Sequence, residues 1–239
     1  MGSKARLFYS AELKSGVISK LSIKQSHYIR TVMRLKPGDK ISLFNSKNGE
    51  WDANILSHEN EITKIRVEKL TRFRKKEYDL WLAFSTIKKI PQDLMLQKTT
   101  ELGVQKFIPL LCERSTVREI NIERANKILV EASEQSNRIS VPEILKIQKL
   151  KNFLEKFPKD GLIIFCDINS GSKNIKNILL KKTPVCILVG PEGDFSENER
   201  QLIVDNKKTL SLNLAENILR SETAAIAATT ILGHNINFQ

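Results

Sequence analysis

The sequence predicts a two-part α/β protein: a small β-rich module followed by a larger domain built on a parallel sheet. Three observations carry that expectation. The first third holds three short segments that alternate in period two, as half-buried strands do. From Tyr78 onward the apolar segments are nearly continuous, as in strands covered on both faces, with helical stretches between them. Between the two patterns stands the basic run Arg72-Phe73-Arg74-Lys75-Lys76, which reads as a linker. The domains are therefore expected at 1–72 and 77–239.

The elements follow in order. Residues 26–35 read as a helix that stops ahead of Pro37-Gly38. Arg30 and Arg34, four apart, would project from one face of it. Strands are expected at 39–44, 51–56 and 62–67, with Asn48-Gly49 marking a hairpin between the first two. In the second part the apolar runs 80–84, 107–111, 162–166 and 185–189 read as buried parallel strands. Helices are expected from Gln92 to Leu102, closed by Gly103, then from Ile122 to Ser136, Ser196 to Asp205 and Ser221 to Asn235. Ser196 with Glu199 three residues on makes a capping box.

Charge adds a functional constraint. The 239 residues carry 39 Lys/Arg and 27 Asp/Glu, a net +12. Residues 1–76 hold 17 of the bases against 7 of the acids, so nearly all the excess lies in the first third. No fold needs that imbalance, whereas a polyanion does, because each cation placed on a phosphate releases counterions. Nucleic-acid contact is expected there, with Arg30 and Arg34 on the helix and Arg72, Arg74, Lys75 and Lys76 in the linker touching the phosphate backbone. No apolar run reaches the length of a membrane span, and the start of the chain has no signal-peptide core. Three widely spaced cysteines suit neither a disulfide framework nor a zinc site, and His27, His58 and His234 lack ligand spacing, so no metal is expected. A soluble, cytoplasmic protein is the expectation.

Chemistry concentrates in two stretches. Residues 188–196, with Gly190-Pro191-Glu192-Gly193, follow a buried strand and open a helix, the place where open α/β sheets bind ligands. Neither a dinucleotide fingerprint nor a P-loop is present; taken alone, the Gly-Pro-Glu-Gly turn is weak evidence. The second stretch, 210–225, runs from a short strand through an irregular loop into an alanine-rich helix with Arg220 and Glu222 at its mouth.

These stretches resemble one family. Gly190-Pro191-Glu192-Gly193, Ile218-Leu219-Arg220-Ser221-Glu222-Thr223-Ala224 and Gln97-Lys98-Thr99-Thr100-Glu101-Leu102-Gly103-Val104 look like the bacterial ribosomal RNA small subunit methyltransferase E family of the SPOUT superfamily. Residues 131–143 and 28–39 resemble it too, so five motifs occur in order along the chain. The resemblance implies a PUA-like β-barrel that binds RNA, then a SPOUT α/β domain with a C-terminal trefoil knot, an exception to unknotted topology. It also implies S-adenosyl-L-methionine as cofactor, 16S rRNA of the small ribosomal subunit as partner, methylation of a uridine N3 as reaction, and a homodimer formed through the knot region. Carried over, Leu188, Gly190, Pro191, Glu192, Gly193, Leu212, Leu214, Ile218 and Leu219 would line the cofactor pocket. The sequence departs from the family pattern at Ala215 and Asp194, where glycine is common, and at Asn217, where a base is usual.

Methyl transfer from a sulfonium is an in-line displacement governed by positioning. Uridine N3 attacks only once its proton is lost, so the site must remove that proton or stabilise the anion. Arg220 is the candidate stabiliser, and Glu222 would orient it or cap its helix. Glu101, Glu134 and Arg138 lie in motifs matching the family and are candidates to face the same pocket; for the two carboxylates, helix surface or a subunit interface is an equal alternative. Lys88 and Lys89 would grip phosphate. Two rival functions are a ribose 2′-O-methyltransferase, suggested by Ser211-Leu212-Asn213, and a non-catalytic RNA-binding or ribosome-assembly protein.

Overall fold

The computed structural model describes residues 3–73, 78–171 and 183–237. The chain divides into two compact units, Met1–Lys76 with Ser133–Val141, and Glu77–Ala132 with Pro142–Gln239.

The first unit is a five-stranded sheet in the order β1 (Arg6–Phe8), β3 (Lys40–Asn45), β4 (Gly49–Glu59), β5 (Ile62–Arg72), β2 (Ile18–Lys20). Only β1–β3 is parallel. The sheet curls: the Tyr9 phenol beyond β1 reaches Ser19 and the Lys20 carbonyl on β2, the strand at the opposite edge. Inside lie Leu7, Leu43, Ile55, Ile65 and Val67, the alternate residues of their strands. The β3–β4 hairpin depends on Gly49, whose φ is +86° and where a Cβ would meet the Arg72 carbonyl oxygen. The β4–β5 hairpin turns at Asn60 and Glu61, both at positive φ (46° and 64°), as a two-residue turn with right-handed strands requires.

The helix of this unit differs from expectation. α1 (Ile23–His27) starts three residues early, because Ser22 and Gln25 form a capping box. It then loosens into a π-helical turn, Tyr28–Val32. Arg34 takes φ +55°, and Leu35 N–H closes back on Ile29 O at 3.0 Å. Burying both Ile29 and Leu35 demands this left-handed stop. Arg34 is thus outside the helix and shares no face with Arg30; both side chains are exposed.

Arg72 is likewise not linker but the last residue of β5, bound to the buried Glu50 at 2.5 Å through Nη2. Arg6 binds the same carboxylate at 3.1 Å, and the Ser42 hydroxyl donates to it at 2.6 Å. The two arginines then hold the segment 133–138, Arg6 donating to Ser133 O (2.9 Å) and Glu134 O (3.2 Å) and Arg72 to Asn137 O (2.8 Å). Arg74, Lys75 and Lys76 lie outside the described residues.

The second unit is a parallel sheet in the order β12 (Thr209–Leu212), β10 (Leu162–Cys166), β11 (Val185–Val189), β6 (Leu80–Ser85), β7 (Lys106–Leu111), β8 (Glu143–Ile144), with β9 (Gln148–Lys149) also on β7. The four expected apolar runs are its central strands, and all five residues of β11 are buried. The helices are α2 (Lys89–Glu101), α3 (Ile122–Gln135), α4 (Leu150–Lys156), α5 (Glu197–Val204) and α6 (Ser221–Asn237). α2 begins earlier than expected because Pro91 falls in its first turn, where a missing N–H costs nothing. α6 packs on α2 and on β11. Among the described residues no helix is long and apolar enough to cross a membrane.

Candidate functional site

Parallel strands deliver their following loops to one edge of the sheet, and three of those loops enclose a cleft of about 420 Å³. The loop after β10 contributes Cys166, Asp167 and Ile168; the loop after β11 contributes Val189 to Asp194; the stretch between β12 and α6 contributes Leu212 to Ala215 and Asn217 to Leu219. Ser221 and Ala224 of α6 complete the lining.

Hydrogen bonds tie these loops together. Ser221 Oγ donates to Gly190 O at 2.6 Å, joining the start of α6 to the Gly-Pro-Glu-Gly turn. Asp167 N–H donates to Leu212 O at 3.0 Å, and the Asn213 amide to Ile168 O at 3.1 Å, joining the β10 and β12 loops. The buried Asp167 carboxylate takes Arg200 of α5 at 2.7 Å and the Asn169 N–H at 3.0 Å. The capping box of Ser196 and Glu199 is present, and Glu199 also accepts from Glu113 N–H at 2.9 Å.

The two glycines of the turn serve different ends. A Cβ at Gly190 would stand 2.8 Å from the Phe195 ring, so this glycine makes room for a core aromatic. At Gly193 only Arg114 Cβ lies near, at 3.9 Å, leaving backbone open to a ligand. The left-handed residue of the turn is Asp194, at φ 62°, a conformation aspartate tolerates. Its carboxylate accepts from Phe195 N–H at 2.7 Å. Ala215 has no positive φ, so its backbone makes no demand for glycine.

Of the residues carried over for the cofactor, Gly190, Pro191, Glu192, Gly193, Leu212, Leu214, Ile218 and Leu219 all line the cleft. Leu188 does not: it is wholly buried in the sheet core, and Val189 lines the cleft instead. Val189 is the last residue of β11, at the carboxyl end where the cleft opens, whereas Leu188 one residue earlier points to the other face and packs in the core. Sequence reading missed the β10 loop entirely; its signal was the end of a buried run next to β11. Burial pushes the Cys166 thiol up to about 12, which disfavours its thiolate.

The candidates for chemistry are less gathered. Arg220 is exposed and flanked by two lining residues, but is not itself in the lining. Glu222 sits in the first turn of α6, where it favours the helix dipole, and makes no ion pair with Arg220. Glu101 pairs with Lys98 on α2 at 3.0 Å. Glu134 accepts from Phe8 N–H at 2.9 Å, and the Arg138 guanidinium donates to Ser140 at 3.1 Å, both within the first unit. None of these three lines the cleft. Lys88 caps α2 and Lys89 starts it, both exposed at the end of the sheet where the cleft opens. Among the described residues no group of three or more His, Cys, Asp and Glu could hold a metal ion.

Comparison with known proteins gives this geometry a context. A family model described as an RNA methyltransferase domain matches residues 74–233, and one described as an RNA methyltransferase PUA domain matches residues 23–65. The Ribosomal RNA small subunit methyltransferase E of Rickettsia conorii is 34% identical over 229 residues, 93% of this chain and 92% of that protein. The protein of the same name from Bacillus subtilis is 26% identical over 225 residues, 88% of each. Among solved structures, a Ribosomal RNA small subunit methyltransferase E from Neisseria gonorrhoeae bound to S-adenosyl methionine matches with a TM-score of 0.89 at 27% identity, over 98% of this chain and 99% of that one. A Legionella pneumophila protein in complex with the same cofactor matches at 0.88 and 27%, over 98% of both chains.

Proposed function

Because the chain belongs to the RNA methyltransferase family represented by ribosomal RNA small subunit methyltransferase E, we propose that it methylates N3 of a uridine in 16S rRNA of the small ribosomal subunit, with S-adenosyl-L-methionine as methyl donor. The observation that carries the reading is the cleft itself, formed by the Gly-Pro-Glu-Gly turn and the Leu212–Leu219 loop at the carboxyl edge of the sheet. Its residues suit that cofactor. The volume of about 420 Å³ is that of a small-molecule site. The lining holds the exposed carboxylates Glu192 and Asp194, beside an Asp167 already neutralised by Arg200, and neither lysine nor arginine, which favours a cationic ligand over a nucleotide phosphate. Open backbone at Gly193 lets a ligand approach closely.

When bound, the cofactor supplies an electrophilic methyl group on a sulfonium. Gly190–Gly193 and Leu212–Leu219 would bind it, and the Ser221–Gly190 hydrogen bond would hold the two loops at their working separation. Apolar Leu214, Ile218 and Leu219 would exclude water from the transfer. Arg220, which has no carboxylate partner among the described residues, is placed one residue from the lining and would stabilise the uracil anion as N3 loses its proton. The reading also includes a cytoplasmic setting, a knotted chain path and a partner copy. The return of α6 from the edge strand β12 to α2 and β11 supports the knot. Exposed Ile90 and Leu94 on α2, with Leu102 at its C-cap, support an apolar surface covered by a second chain.

Calorimetry with S-adenosylmethionine on the purified chain, followed by nuclease digestion of subunits methylated in vitro, tests the reading. One site per chain and a 3-methyluridine product are expected. A product that instead blocks alkaline cleavage at one position would make this a ribose methyltransferase, and absence of both binding and product would leave an RNA-binding protein.

A further inference from the structure

Arg114, which carries no motif of its own, stands against the turn that would hold the methyl donor. It follows β7 by three residues, and its Nη1 donates to Gly193 O at 3.2 Å and to Phe195 O at 3.3 Å. Together with Glu113, whose N–H binds Glu199, it holds the β11–α5 connection from one side. Both carbonyl contacts use a single terminal nitrogen. Among the described residues nothing accepts from Nε or Nη2 and no carboxylate pairs with the side chain, which is exposed.

The brace leaves Nε and Nη2 of an exposed guanidinium directed to solvent and available to a ligand. The turn it braces also carries the exposed carboxylates Glu192 and Asp194, which by themselves would repel a phosphodiester approaching the cleft. A planar fork of N–H donors at that point reverses the repulsion and matches a phosphate bidentately. Resting on the methyltransferase reading above, we propose that Arg114 binds the target nucleotide of the RNA. One nitrogen pins the donor turn through Gly193 and Phe195, while the rest of the fork holds the phosphate beside the target uridine, so that acceptor and donor are positioned by one side chain. Arg118, exposed and likewise without a carboxylate partner among the described residues, is placed over the end of β6 by the Thr86 bond to Val117 O, and extends the same phosphate-binding edge.

The test uses full-length Arg114→Ala and Arg114→Lys beside the unaltered chain. S-adenosylmethionine affinity is read by calorimetry, and methyl transfer is followed on small ribosomal subunits from cells lacking the corresponding gene. Arg114→Ala is expected to lower cofactor affinity about three- to tenfold through the lost ties to Gly193 and Phe195, while kcat/KM for subunits, measured at saturating cofactor, falls roughly 30-fold further, the scale of a lost charged hydrogen bond. The salt slope of RNA binding should drop by about 0.7 to 0.9, one phosphate contact. Arg114→Lys keeps a charge without the fork and should fall between the two. Unchanged kcat/KM, a loss of activity that merely follows lost cofactor binding, or a change of oligomeric size with subunit binding intact would each overturn the proposal. If the unaltered chain neither binds the cofactor nor methylates subunits, the methyltransferase reading falls, and this one with it.

Discussion

A single hydrogen atom at residue 190 decides how the Gly-Pro-Glu-Gly turn packs. Phe195 occupies the space of the missing side chain and stacks edge-on against Phe165, with ring centroids 5.5 Å apart. Gly190→Ala must displace that ring, so a loss of about 1–3 kcal/mol is expected in denaturant melts, with weakened cofactor binding. At Glu50 the decision is electrostatic. Burial pushes its pKa up most strongly, yet hydrogen bonds from Ser42, Arg72 and Arg6 together outweigh burial and hold the carboxyl below the ordinary glutamate range. Its stabilisation is therefore complete above an unfolded value of about 4.3 and is lost as pH falls below it. Glu50→Gln should destabilise the chain at neutral pH by about 3 kcal/mol, as breaking a buried ion pair does. The gap to the unaltered chain should narrow in melts below about pH 4. None of this was legible in the local sequence: Glu50 reads as a strand residue beside Trp51, and its partners lie 44 and 22 positions away.

Among the elements, α5 and α6 show the contrast between local and long-range control. The start of α5 is written in Ser196 and Glu199, three residues apart, and the capping box forms as that spacing demands. The start of α6 is secured by Ser221 reaching Gly190 O, 31 residues away, so no local pattern announces it. Ser221→Ala should leave α6 helical, as ultraviolet circular dichroism would show. Without its tie to the Gly190 carbonyl, and on the proposed placement of the cofactor in this cleft, cofactor affinity should fall about three- to tenfold, the worth of one neutral hydrogen bond. The α1 region makes the same point from the other side. Its periodicity fits a single helix through residue 35, but core burial of Ile29 and Leu35 forces a π turn and a left-handed Arg34, which parts the two arginines.

On the scale of the whole molecule, the first unit is discontinuous in sequence, for it includes Ser133–Val141. A fragment cut to residues 77–239 would lack Arg6, Arg72 and the Phe8 N–H, the partners of the Ser133, Glu134 and Asn137 groups. It is expected to melt below the full chain and to expose the 133–141 segment to limited proteolysis; equal melting would show that the segment holds without those partners. The sequence by itself determined the two-part architecture and the buried strands of the parallel sheet, because period-two alternation and continuous apolar runs are local consequences of which faces must be buried; the residues expected to line the cleft came only with the family resemblance. It determined the family as well, through motifs kept in order along the chain. Only the tertiary structure decided that the β10 loop joins the cleft, that Leu188 turns inward, that Arg72 belongs to a buried ion pair and that Arg114 binds the carbonyls of Gly193 and Phe195. Each of those depends on groups brought together from distant positions by the strand order, and a contact between residues far apart in the chain leaves no period and no spacing in the sequence.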